Sequence, residues 1–303
     1  MKINYRLVVS FVALLFSLGC TKNSAPVGSE KNPIKFFFVP SVDARILSEK
    51  TKEVKVYLEK STPYKFEMKV PTSYVAVVEA FGTSRADVAS LNTFGYILAN
   101  QKYGAQALIT VERFGHTTYR GQFIAAANSP VKKLKDIEGK KIAYVDPSST
   151  SGYLLPATML KNENINPSQK VFAQRHDNVV TMIKQGQVDV GATFYSPVEN
   201  GEIQDARRLV KSQFPNIEEE VKIIQLTDPI PNDPIVFRKG LPESIKKDIQ
   251  KALISYVKTP EGKALFHELY GVTDLKASDD SAYDGVRNML SALGKSASDL
   301  AGK

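Results

Sequence analysis

The sequence predicts an α/β protein in which mostly parallel sheets are flanked by helices, and three observations carry that prediction. Apolar runs of strand length alternate along the chain with segments of three-four helical spacing, the pattern of parallel strands joined by helices. Lys141-Ile142-Ala143-Tyr144-Val145 reads as a buried strand and Leu154 to Leu160 as a helix, with four consecutive hydroxyl residues between them. Tyr74, Tyr96, His176, Tyr195 and Asp233 also fall at strand ends, where open α/β sheets bind ligands. Two such sheets facing each other would enclose a cleft.

Taken in order, the folded part begins with the strand Ile34–Val39, which runs into Pro40. Ala44, Leu47, Val54 and Leu58 keep helical spacing, and Tyr64, Phe66, Met68 and Val70 alternate as in a strand. A short helix at 75–81, a strand at 88–91, a helix at 94–103 and a strand at 108–111 follow. Another strand at 122–127 leads to Pro130 and the turn Glu138-Gly139-Lys140, after which a second α/β run starts. It comprises the strand at 141–145, the helix after Ser151, strands near 171–172, 188–194 and 221–226, and a helix near 179–184. The tail is helical over 242–257, 260–270 and 281–293, with proline opening the first two helices.

In the central stretch, Ser148-Ser149-Thr150-Ser151-Gly152 stands where a strand hands over to a helix. The first N–H groups of a helix have no intrahelical partner and carry partial positive charge. Hydroxyl donors beside them suit a tetrahedral oxyanion, and Gly152 is expected to let the backbone approach it. One or two hydroxyls would need only a capping role; four in a row point to an anion site.

The 303 residues are 43% hydrophobic and 24% charged, which is globular and long enough for two domains. The formal charge of +8 is spread over the chain, with no basic run interleaved with aromatics and no tryptophan, so nucleic acid is not the expected partner. Lys2 and Arg6, the apolar core Leu7–Phe16 and the small residues after it predict an export signal over 1–19. Cys20 is the only cysteine, so no intramolecular disulfide can form. Its position after Ser17-Leu18-Gly19 resembles the bacterial lipoprotein signal, with Ser17 where that signal normally has leucine. The resemblance implies a lipidated Cys20 on a membrane facing the periplasm or cell exterior, followed by a polar tether over 20–33; a free exported thiol is the alternative. 

His176-Asp177-Asn178 could place an anion donor or merely cap a helix, and Asp233, between Pro231-Asn232 and Pro234, could face a ligand or serve a turn. Catalytic patterns are absent from the sequence. There is no Gly-x-Ser-x-Gly, no phosphate-loop or dinucleotide fingerprint, and no metal spacing among His116, His176 and His267.

The stretch Asp146-Pro147-Ser148-Ser149-Thr150-Ser151-Gly152-Tyr153-Leu154-Leu155-Pro156 resembles the signature of the phosphonate-, phosphite- and phosphate-binding proteins of ABC importers. The similarity continues, in order, through His176-Asp177, Gly186-Gln187-Val188-Asp189-Val190-Gly191-Ala192 and Ile230-Pro231-Asn232-Asp233-Pro234. It implies the type II periplasmic binding protein fold, two α/β lobes joined by two crossover strands. Residues 34–121 with 228–303 would form lobe 1, and 122–227 lobe 2. It further implies that Ser149, Thr150 and Ser151 hold phosphoryl oxygens while His176, Asp233, Tyr74 and Tyr96 face the ligand. The implied protein is a monomeric, non-enzymatic binding component with no cofactor and no metal, delivering a small oxyanion to an ABC permease. Binders of aminoalkylphosphonates also need a carboxylate for the amine, and Tyr195-Ser196-Pro197 stands where that acid is expected. On the same fold the alternatives are a binder of a sulfonate or pyrimidine precursor, or a sensor subunit of a membrane kinase.

Overall fold

A computed structural model describes residues 25–292. The export signal and Cys20 lie outside the described residues. Residues 25–33, expected to be tether, fold against the body instead. Gly28 takes a φ of +88° in a turn closed by its N–H to the Asn32 carbonyl (2.8 Å), its own carbonyl accepts from Lys65 N (2.8 Å), and Val27 packs on the first core.

The chain then alternates strands and helices. β1 (Ile34–Phe38), α1 (Ala44–Ser61), β2 (Phe66–Lys69), α2 (Tyr74–Gly82), β3 (Val88–Ser90), α3 (Thr93–Tyr103) and β4 (Gln106–Glu112) come first. β5 (Thr118–Ala126), β6 (Lys141–Tyr144), α4 (Leu155–Asn162), β7 (Gln169–Phe172), α5 (His176–Lys184), β8 (Val190–Tyr195), α6 (Ile217–Glu220) and β9 (Val221–Pro231) follow. The chain ends with β10 (Pro234–Phe237), α7 (Glu243–Tyr256), α8 (Pro260–Tyr270), β11 (Asp274–Ala277) and α9 (Asp284–Ala292).

Two sheets result, ordered β11-β4-β10-β3-β1-β2 and β7-β6-β8-β5-β9. Both are mixed. β1 pairs in parallel with β2 and β3, and β6 with β7 and β8, as expected of helix-connected strands. The expectation of mostly parallel sheets needs correction: where the chain changes sheet β5 lies antiparallel between β8 and β9 and β10 antiparallel between β3 and β4, and β11 adds an antiparallel edge to β4. β10 and β11 have four residues each and escape a periodicity reading, β10 all the more because it opens with a proline.

Helices cover both faces of each sheet, which is why the strands read as nearly continuous apolar runs. Alternation along β1 sends Phe36 and Phe38 to the face under α1, α7 and α8, with Leu47, Val54, Ile249 and Leu253, and Phe37 to the face under α2 and α3, with Val78, Phe81 and Ile97. In the second sheet Ala143 and Val145 pack on Val179, Val180 and Ile183 of α5, while Ile142 and Tyr144 face Leu160 of α4.

The two crossings between sheets are pinned side by side by one buried residue. Asn232 donates from its amide N–H to Thr117 O (2.9 Å) and from Nδ2 to His116 O (2.8 Å), and its Oδ1 accepts from Arg113 Nη1 (3.0 Å). The ends of β4 and β9 therefore leave the sheets at one place, beside which the cavity lies.

Candidate functional site

The site is built from the end of β6. Asp146 accepts from Ser148 N through Oδ1 (2.7 Å) and from Ser149 N through its carbonyl (2.9 Å), a turn that places the four hydroxyls in succession. Ser149 caps the next turn, its Oγ accepting from Gly152 N at 3.1 Å. That turn is wider than the α-helix start expected from the sequence. Leu154 N donates to Ser149 O and Leu155 N to Thr150 O, five residues back, so Thr150–Leu154 is a π-type turn before α4. Gly152 does not serve an approach to ligand as expected; a Cβ there would meet Val145 Cγ2 at 2.5 Å, so the glycine lets the turn pack on the end of its own strand.

Thr150 is reached from the other half of the molecule. Its Oγ1 accepts from Asn92 Nδ2 (3.1 Å) and from Phe94 N (3.0 Å), while Asn92 Nδ2 also donates to Ser148 O (2.7 Å). Two donors occupy both lone pairs of the hydroxyl, leaving its proton as the group it can still offer. Asn92 is held for this by capping α3, its Oδ1 accepting from Gly95 N.

Ser149, Thr150, Ser151, Tyr74, His176 and Asp233 line one cavity of about 60 Å³. At about 10–15 Å³ per water centre, that is room for a handful of waters or one small anion. Among the described residues, four of the seven buried side-chain polar atoms that lack a partner belong to this lining: Tyr74 Oη, His176 Nδ1, Arg208 Nε and Asp233 Oδ1. Buried polar groups are ordinarily satisfied, so their convergence on one cavity marks a place that expects a polar guest.

The electrostatics are mixed. Asp233 accepts from Arg113 Nη2 at 2.8 Å through Oδ2, leaving Oδ1 open. Arg113 also donates from Nε to Tyr270 O (3.0 Å), and its guanidinium lies 5.5 Å from the centre of the Tyr119 ring. Burial, with Arg113 nearby, pushes His176 down from 6.5 to about 3, so its imidazole is neutral at neutral pH. Burial holds the Tyr74 phenol well above the ordinary tyrosine range, with Asp146 and Asp233 adding to the effect. Two guanidiniums against one carboxylate thus leave the cavity with one positive charge, suited to an anion.

Tyr96 is not among the lining residues. It is fully buried in α3, donates to Asp280 Oδ1, and has its ring against Tyr283 and under Arg287. Tyr195 is also outside the lining, whereas Phe194 and Ser196 belong to it, the two-residue alternation at the end of β8 turning Tyr195 away. Asn92, Arg113, Tyr119, Arg208 and Tyr270 also line the cavity, and none of them belongs to a motif expected to face the ligand. Arg113 and Asn92 do sit at strand ends, the one signal that could have found them; Arg208 lies in a stretch without strand or helix periodicity.

A family model described as ABC transporter, phosphonate, periplasmic substrate-binding protein matches residues 36–283. The chain is 26% identical over 283 residues to the phosphonates-binding periplasmic protein of Escherichia coli K12, covering 91% of this chain and 81% of that protein. It is 29% identical over 259 residues to the phosphate-import protein PhnD of Mycolicibacterium smegmatis, covering 78% of each. Among solved structures it resembles PhnD1 of Prochlorococcus marinus in complex with methylphosphonate, with a TM-score of 0.73, 16% identity, and 87% of this chain and 98% of that one covered.

Proposed function

The chain belongs to the family of periplasmic substrate-binding proteins of ABC phosphonate transporters, and from that premise we propose that its cavity captures one small phosphorus oxyanion for delivery to a permease. The observation that carries the ligand class is the convergence of Ser149, Thr150 and Ser151 with the unpartnered atoms of Tyr74, His176 and Asp233 on a space of about 60 Å³. Residues 34–121 with 228–303 form one lobe of this reading and 122–227 the other, and capture is closure of the two around the anion. The protein is a binder and not an enzyme. It is exported, acts as a monomer, and is held to the membrane by lipid on Cys20.

Calorimetry of phosphite, methylphosphonate, phosphate and sulfate, with native mass spectrometry of freshly purified protein, tests the ligand class. Tight binding of at least one phosphorus oxyanion is expected. Binding of a sulfonate or a pyrimidine precursor with no response to any phosphorus oxyanion would overturn it.

A further inference from the structure

Arg208 belongs to none of the motifs that mark this site, yet it lines the cavity from the short 3-10 helix Ala206–Val210. Its neighbour Arg207 takes the Asp205 carboxylate, through Nε at 3.0 Å and Nη2 at 2.8 Å. Arg113, Arg175, Arg238 and Arg287 each hold an aspartate as well. Arg208 forms no salt bridge among the described residues, and its Nε is buried without a hydrogen-bond partner. Leu209 and Leu269 of the same lining offer it no acceptor. Burial, and then the charge of Arg113, press against its protonated form, and Asp205, whose carboxylate Arg207 already holds, offsets them only in part. A guanidinium does not deprotonate under such pressure, so it remains a charge in want of an anion.

Resting on the reading of a phosphorus-oxyanion site, we propose that Arg208 is the charge partner of the ligand and makes the cavity select oxyanions without an amine over aminoalkyl ones. Asp233 is already shared with Arg113 at 2.8 Å, so that pair is close to neutral and Arg208 supplies the surplus positive charge. A singly charged alkylphosphonate cancels the surplus. A 2-aminoalkylphosphonate brings an ammonium that offsets one charge of its own head group and sets a second cation in the same small space, close to two guanidiniums. The acceptor best placed to take that ammonium is Asp233 Oδ1, on a carboxylate that Arg113 already engages. Where an aminoalkyl site needs a second carboxylate, this lining has Phe194, Ser196 and a guanidinium.

The test compares ethylphosphonate with 2-aminoethylphosphonate, which share the two-carbon chain and differ in the amine, by calorimetry on the purified protein. Wild type is expected to prefer ethylphosphonate by about tenfold or more, the scale of one charge-assisted contact. Arg208→Gln should weaken ethylphosphonate and shrink the preference to about threefold or less, while Arg208→Lys, which keeps the charge, should preserve it. Thermal melts establish that each variant is folded, and Arg208→Met, which also removes the charge and is held to the same expectation, decides the matter if the glutamine variant is not. Equal binding of the two ligands by wild type, or a preference that survives in folded Arg208→Gln, would overturn the assignment while leaving the phosphorus-oxyanion reading intact. Failure of both ligands and of methylphosphonate to bind would overturn that reading and the assignment with it.

Discussion

Asn92 Nδ2 and Thr150 Oγ1 meet at 3.1 Å across the junction of the two sheets, and Phe94 N reaches the same oxygen at 3.0 Å. The hydroxyl that would serve the ligand thus also holds the opposing half. Thr150→Ala with Ser151→Ala is expected to remove two contacts to the anion, each worth about 1.5–3 kcal/mol, so affinity falls about a hundredfold or more. The same change leaves Phe94 N unpaired and costs stability of about 1–3 kcal/mol. Calorimetry and urea unfolding measure the two effects, and an unchanged affinity would reduce these hydroxyls to caps.

Tyr74 and Tyr96 should separate. The Tyr74 hydroxyl faces the cavity unpartnered, whereas the Tyr96 hydroxyl is spent on Asp280. Tyr74→Phe should weaken methylphosphonate about tenfold, the scale of one hydrogen bond to a charged group, with little change in melting temperature. Tyr96→Phe should leave affinity within about threefold and lower stability by about 1 kcal/mol. The reverse pattern in titration and melting would put Tyr96 at the ligand and remove Tyr74.

How much of this could be read from the chain follows from which signals are local. Phe36-Phe37-Phe38 announces a strand buried on both faces, and Ser148-Ser149-Thr150-Ser151 announces its site because strand, hydroxyls and helix are contiguous. The positions of Arg113, Arg208 and Tyr270 in the lining are long-range facts. They depend on Asn232 binding both crossings together and on α8 ending beside the cavity, and no spacing encodes either. Tyr96 misleads for the same reason: it begins the helix after a strand, as a ligand residue would, but the Asp280 and Tyr283 that claim it lie far along the sequence.

His176 makes stability depend on pH. Burial, aided by Arg113, lowers its pKa from 6.5 to about 3 in the folded protein, so the unfolded chain binds the proton first as pH falls. Stability from this group is full above about pH 6.5 and is lost progressively down toward pH 3, on the order of a few kcal/mol at the low end. His176→Gln has no such proton to take up, so its unfolding free energy should fall less than that of wild type between pH 7 and pH 4.5. Parallel losses in the two proteins would show that carboxylates alone set the acid limit.

Cys20 tests the anchor independently of the cavity. Cys20→Ser should move the protein from the membrane fraction to the soluble exported fraction with ligand affinity unchanged, since the variant has no thiol to carry the lipid and Cys20 lies outside the described residues that line the cavity. A variant that stays with the membrane would rule out lipid on Cys20 as the attachment.

Asp233 is expected to set which anion is accepted. Its Oδ2 is engaged by Arg113 at 2.8 Å and its Oδ1 is buried with no partner, so the carboxylate presents an acceptor to whatever fills the cavity. A monoanion with a P–OH group donates to that oxygen. Sulfate at neutral pH has no proton to give, and its oxygens would face Oδ1 with repulsion and an unmatched buried acceptor, at a cost of about 1–3 kcal/mol or more. Phosphite and methylphosphonate should therefore bind at least about tenfold tighter than sulfate in wild type. Asp233→Asn offers an N–H in place of the lone pair, so sulfate should gain relative to methylphosphonate, while Arg113, released from its ion pair, adds positive charge for any dianion. The two shifts run the same way, which makes the ratio of sulfate to methylphosphonate affinity the sensitive quantity in calorimetry of wild type and variant. A wild type that holds sulfate tightly, or a variant whose ratio does not move, would take Asp233 out of contact with the ligand and leave the hydroxyls and Arg208 to account for selectivity.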